Sequence, residues 1–209
     1  GMEIPLCSVS NDFGRPDPAQ RMESEKLVEK WIPIAHWFGS GMLRVFAGWP
    51  GGHNPAQYEA EKKRLWPEMI QSLKRLSQKA EEAGVILVLE NHNHLGFTKT
   101  VDEMFQILNE VGSDWLRICL DTGDYLVDTA ELNGFAALEK AMIYAMIVHA
   151  KFYEVDENGR DKKQDWDKIF KILNAARYEG YLSIEYEGKN PKVEVPLAAK
   201  FLVEKTLLT

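Results

Sequence analysis

The sequence predicts an α/β protein, a parallel sheet whose strands are joined by helical crossovers. Three observations predict it. Six short runs rich in Val, Ile and Leu alternate with six helical segments along the chain. The run at 85–89 is apolar without a break, as in a strand buried on both faces. No linker, short repeat or low-complexity tract divides the 209 residues, so one domain over 1–209 is expected. Two architectures fit that order: an open doubly wound sheet or a (β/α)₈-type barrel. No Gly-x-Gly-x-x-Gly or Gly-x-x-x-x-Gly-Lys-Ser/Thr loop follows any strand, which counts against the nucleotide-binding sheets.

The elements follow in order. Residues 2–10 read as a first strand, and 11–18 as a turn-rich loop with Gly14, Pro16 and Pro18. Residues 21–38 have helical spacing, with Leu27, Trp31, Ile34, Ala35 and Phe38 on one stripe and Pro33 as a kink or break. A second strand covers 42–47, and a long charged helix covers 56–83 with Pro67 inside it. Gly84 stops that helix before the strand at 85–91. Residues 100–111 are amphipathic, with Val101, Met104, Phe105 and Leu108 on one face. Strands are read at 116–121, 145–152 and 181–186, and helices at 129–142, 166–176 and 193–207. Asp165 is placed to cap the helix at 166. Gly1 reads as a tag remnant and His53 as a loop residue.

Bulk properties narrow the function. The chain is 45% hydrophobic and 27% charged, an ordinary globular composition with material for one sizeable core. A net charge of -7 argues against a nucleic-acid partner, whose binding domains carry a basic face. Two cysteines, Cys7 and Cys119, make no disulfide framework and read as reduced thiols of a cytoplasmic protein. No run approaches the roughly 18 apolar residues of a membrane span, and residues 1–20 are too polar for a signal peptide.

The chemistry lies where the strands end. Glu90-Asn-His92, Asp121-Thr-Gly-Asp124, His149-Ala-Lys151 and Glu185-Tyr-Glu187 terminate four consecutive strands. Side chains two apart on a strand share a face, and in a barrel the carboxyl ends converge on one mouth. Three carboxylates meeting in a buried mouth repel unless a cation joins them. Glu90, Asp121, His149 and Glu185 therefore form a candidate site for one divalent metal ion. Three oxygen donors and one imidazole suit Mn²⁺, Mg²⁺ or Co²⁺ ahead of Zn²⁺. By parity His92 and Lys151 face the mouth as substrate ligands, with a salt bridge to Glu187 or Asp124 the plainer role for Lys151. Trp49 and Phe13 offer an apolar wall for a sugar or, equally, core packing. Arg44 and Arg117 begin their strands and read as a polar layer at the barrel floor.

The segments Val-Leu-Glu-Asn-His (88–92), Ile-Cys-Leu-Asp-Thr-Gly-Asp (118–124), Val-His-Ala-Lys (148–151) and Gly-Tyr-Leu-Ser-Ile-Glu-Tyr-Glu-Gly (180–188) resemble the xylose isomerase-like TIM-barrel superfamily, its sugar isomerases and epimerases above all. Ser-Asn-Asp-Phe (10–13) and Leu-Arg-Val-Phe-Ala-Gly-Trp (43–49) extend the likeness over nearly the whole chain. The resemblance implies an incomplete (β/α) barrel with about six of eight units, its first strand matching the family's third. It implies that the open edges are covered, by a partner subunit (a second copy of the chain) or by an N-terminal rearrangement. It implies that Glu90, Asp121, His149 and Glu185 bind the metal, that Glu90 and Glu185 are the acid and base, and that Asp124 stands where some members carry a histidine.

The expected activity is isomerisation or epimerisation of a sugar or keto acid, by proton transfer next to a carbonyl through an enediolate. Dehydratases also occur in the superfamily. A non-catalytic binding barrel is the alternative from another class. An endonuclease IV-like DNA repair enzyme fits worse: the chain has only five histidines, none directly at the ends of the first two strands (Ser10-Asn11 and Ala47-Gly48), and no Asp-x-His after His149.

Overall fold

The computed structural model describes residues 2–51, 54–92 and 94–207, so Gly1 and His53 lie outside the described residues. The strands are β1 (Cys7–Ser8), β2 (Met42–Val45), β3 (Ile86–Glu90), β4 (Leu116–Asp121), β5 (Ala145–Phe152) and β6 (Tyr181–Tyr186). The helices are α1 (Pro18–Trp37), α2 (Tyr58–Ala83), α3 (Val101–Val111), α4 (Gly134–Met142), α5 (Trp166–Ala175) and α6 (Pro191–Thr206). One sheet holds the strands in the order β1-β2-β3-β4-β5-β6. The order never reverses, so there is no switch point of the doubly wound kind. Six parallel strands with helices between them form an incomplete TIM-barrel-like fold.

The chain divides into two compact units, Gly1–Cys119 and Leu120–Thr209, each described by itself. In the first, β2 and β3 pair Arg44 with Val88 and Val45 with Leu89. Next, β3 and β4 pair Val88 with Arg117 and Glu90 with Cys119. Leu43, Val45, Leu87, Val88, Leu89, Ile118 and Cys119 are fully buried, as the unbroken apolar runs require. In α3, Thr100 closes a capping box with Glu103, satisfying two donors that the helix start leaves open. Gly84, at φ 67°, takes the left-handed position that ends α2.

Pro33 and Pro67 both lie inside continuous helices, α1 and α2, with no break at either. The buried helix faces differ from the expectation. The buried stripe of α1 is Arg21, Val28, Ile32 and Ala35; Leu27 and Phe38 are exposed. Two apolar stripes interleave at helical spacing there, and composition alone does not say which meets the core. Similarly, α3 buries Met104, Ile107 and Val111, with Val101, Phe105 and Leu108 only half-buried.

In the second unit β5 and β6 pair over six residues, from Ile147 with Tyr181 to Phe152 with Tyr186. Asp165 accepts the Lys168 N–H and caps α5 as its sequence position indicates. Trp166 is the centre of the apolar packing, stacked on Phe152 at 4.9 Å and edge-on to Phe201. The helix expected at 129–142 starts only at Gly134; a π-helical turn (Asp124–Asp128) and then turns over 129–132 precede it. The Asp124 carbonyl accepts both the N–H and the hydroxyl of Thr129 at 2.7 Å, and Asn133 donates back to Thr129. Short polar side chains there compete with helical hydrogen bonds.

Candidate metal and catalytic site

In the second unit the carboxyl ends of β4, β5 and β6 carry one polar cluster. Asp121 closes β4. Its Oδ1 accepts the backbone N–H groups of Gly123 and Asp124 at 2.7 and 3.0 Å, so Oδ2 is its outward oxygen. His149 and Lys151 stand two apart on β5, and their register partners on β6 are Ser183 and Glu185. His149 Nδ1 is 2.9 Å from Glu185 Oε2. Lys151 Nζ reaches Glu185 Oε1 at 2.7 Å, Glu187 Oε1 at 2.9 Å and Asp121 Oδ2 at 3.1 Å. Ligand atoms of Asp121, His149 and Glu185 all lie within 4.8 Å of one another. Two carboxylate oxygens and an imidazole nitrogen gathered this closely fit a divalent cation.

The charges are strongly coupled. Burial alone would raise the Glu185 carboxyl, but hydrogen bonds from His149 and Lys151 and the lysine's charge lower it to about 2. Burial likewise works against the Lys151 ammonium, yet Asp121 and the hydrogen bonds to Glu185 and Glu187 hold it above the usual lysine range. Both groups are therefore ionised at neutral pH. The sequence left Lys151 between a substrate ligand and a salt bridge; it makes the bridge to Glu187 and two more besides.

Backbone contacts fix this corner. The Lys151 N–H donates to Thr122 Oγ1, and its carbonyl accepts from Gln164 Nε2 at 2.6 Å. Tyr153 donates its hydroxyl to Asp128 at 2.9 Å. Burial, and then Asp128, push that phenol well above its ordinary range. Gly123 lies beneath both side chains: a Cβ there would sit 2.5 Å from Lys151 Cγ and 2.5 Å from Tyr153 Oη. Gly123→Ala should therefore displace Lys151 and Tyr153 and cost about 1–3 kcal/mol, as overpacking does. Thermal unfolding checks this; an unchanged midpoint would show that the corner gives way freely. Asp124 is buried at the start of the π-helical turn.

In the first unit Glu90 ends β3 and is 4% exposed. Its Oε2 is 3.2 Å from Arg44 Nε, although that N–H is not aimed at it. The Arg44 guanidinium lies 4.0 Å over the Phe46 ring. This corrects the floor-layer reading of Arg44, whose long side chain reaches the strand end. The register explains it: Arg44 pairs with Val88, two residues before Glu90 and on the same face. Arg117 does stay at the start of its strand, 2.9 Å from Asp114.

Trp49, Phe46 and His92 form an aromatic cluster with ring centres 4.9–5.1 Å apart. Phe13 is fully enclosed, which is the core-packing alternative rather than a sugar-facing wall. Sequence reasoning missed the role of its neighbours. Asn11 mimics a strand, accepting from Phe46 N–H at 2.9 Å and donating to Phe46 O at 2.7 Å. Asp12 Oδ1 accepts the N–H groups of Gly14 and Trp49, both at 2.8 Å, and so locks the Trp49 loop. Gly48, at φ 104°, permits this close approach: a Cβ there would lie 2.3 Å from Asp12 Oδ1.

The arrangement has counterparts. A model of the xylose isomerase-like TIM barrel family matches residues 1–205. The chain belongs to that family. Among curated family relatives, inosose dehydratase of Clostridium perfringens is 29% identical over 170 residues, covering 68% of this chain and 56% of that protein. The chain thus spans little more than half the length of the curated relatives it matches. The 3-keto-D-glucoside 4-epimerase of E. coli superposes with a TM-score of 0.76 at 18% identity, over 97% of this chain and 80% of that one. The IOLI protein, solved with a bound zinc atom, superposes with a TM-score of 0.77 at 16% identity, over 97% and 76%. At these identities the structural likeness establishes the fold. No helix among the described residues is long and apolar enough to cross a membrane.

Proposed function

We propose that this chain carries the site of a metal-dependent sugar isomerase or epimerase acting on a sugar or keto acid. The observation that supports it most is the Asp121–His149–Glu185 cluster at the ends of β4, β5 and β6. Glu90 is assigned as the fourth ligand on the resemblance of its segment Val-Leu-Glu-Asn-His (88–92) to the family. The donor set favours Mn²⁺, Mg²⁺ or Co²⁺, and the zinc in the IOLI protein keeps Zn²⁺ in the set to be tested. A divalent cation here supplies charge stabilisation beside the substrate carbonyl.

Glu90 and Glu185 are the acid–base pair. One removes a proton from the carbon next to the carbonyl and the other delivers a proton. Delivery to the opposite face inverts that carbon; delivery to the neighbouring carbon interconverts aldose and ketose. Glu185 is partly open to solvent, so a substrate carbon can reach its carboxylate. His92 and Trp49 are assigned to sugar hydroxyls and the sugar's apolar face. A dehydratase reading has one specific support, the similarity to inosose dehydratase. It shares the proton-removal step and differs in expelling a β-hydroxyl afterwards.

The test is solvent exchange. The protein with Mn²⁺ is incubated in D₂O with ketoses, a 3-keto-glucoside and an inosose. Deuterium at the carbon next to the carbonyl supports the reading, and the product formed separates epimerase from dehydratase. No deuterium in any substrate contradicts it and favours a binding protein.

A further inference from the structure

We propose that Lys151 is a built-in cation that occupies the metal site and exchanges with the metal, its ammonium shifting onto Glu187 as the metal enters. The inference rests on the metal reading above. Asp121 Oδ1 already accepts two backbone N–H groups, which leaves Oδ2 as its metal-binding oxygen. Lys151 Nζ sits 3.1 Å from that same Oδ2 and 2.7 Å from Glu185 Oε1. A metal bound through Asp121 Oδ2 takes over an oxygen the ammonium now holds, and two cations gathered on that oxygen and the neighbouring Glu185 carboxylate repel each other.

The structure also offers the displaced ammonium a destination. Glu187 Oε1 is already 2.9 Å from Nζ, and its side chain is 51% exposed, at the solvent side of the cluster. Movement is confined to the side chain, because both backbone groups of Lys151 are hydrogen-bonded to Thr122 and Gln164. The stem crosses Gly123, where the missing Cβ leaves it room. Without metal, Lys151 offsets the repulsion among Asp121, Glu185 and Glu187; with metal, it pairs with Glu187 alone.

The experiment is calorimetric titration of the metal-free protein with Mn²⁺ alone. Lys151→Met keeps the length of the stem and removes its charge. It should bind Mn²⁺ at least tenfold more tightly than the wild type, while its metal-free form unfolds at a lower temperature. Glu187→Gln should weaken Mn²⁺ binding at least threefold in the wild type and less than twofold in the Lys151→Met background, because Glu187 acts through Lys151. If Lys151→Met fails to fold by circular dichroism, Lys151→Gln repeats the test. A folded variant that binds Mn²⁺ no more tightly than the wild type overturns the exchange and leaves the metal site standing. If neither wild type nor variant binds Mn²⁺, Co²⁺ or Zn²⁺, the metal reading and the exchange both fall. Binding by the variant alone supports the exchange in its strongest form.

Discussion

Glu185→Gln lowers turnover at least about 100-fold while the cooperative fold survives, the loss expected when one positioned proton-transfer group is removed. The amide keeps the shape of the side chain but can neither take a proton from carbon nor hold a cation with full charge. It also ends the charge-assisted contacts from His149 Nδ1 and Lys151 Nζ, at 2.9 and 2.7 Å. Those contacts lie at a half-exposed strand end, so their loss disturbs the site more than the core. The measurement pairs deuterium incorporation from D₂O with thermal unfolding. A variant that unfolds normally and exchanges at more than half the wild-type rate removes Glu185 from the chemistry.

Trp166→Ala destabilises the protein by about 3–5 kcal/mol, the usual cost of emptying a large aromatic site. For a chain of this size the unfolding midpoint then falls by about 6–20 °C. Trp166 is 1% exposed, stacks on Phe152 with an interplanar angle of 9°, and meets Phe170 and Phe201. Its Nε1 has no hydrogen-bond partner among the described residues, so Trp166→Phe gives up less, keeping the stack without leaving a donor unpaired. The effect reaches function because Phe152 ends the strand that carries His149 and Lys151. Differential scanning calorimetry of both variants decides the point; a fall below 2 °C for Trp166→Ala would falsify the central role given to this stack.

Strand ends were the most legible feature of this sequence. The bounds of β4, β5 and β6 coincide with those read from the sequence, where apolar runs give way to polar strand ends. Parity along β5 then put His149 and Lys151 on one face. Helix faces were harder. The interleaved stripes of α1 offered two solutions, and burial selects Val28, Ile32 and Ala35. The π-helical turn was invisible because it depends on the Asp124 carbonyl accepting twice from Thr129. In the site, residue types and spacing pointed to ligands but not to the reach of long side chains. That is why Lys151 on three carboxylates and Arg44 beside Glu90 emerge only from the structure. Asn11 and Asp12 passed as loop polarity, since their roles depend on Phe46 and Trp49 more than 30 positions away.

The central proposal is that Asp121, His149 and Glu185 hold one divalent ion. Counting the metal tests it most directly. Metal-free protein is titrated with Mn²⁺ and the free ion is followed by electron paramagnetic resonance, beside an Asp121→Ala/His149→Ala double variant of confirmed fold. One Mn²⁺ per wild-type chain and none in the double variant is the predicted result. Equal stoichiometry in the two proteins would contradict the account.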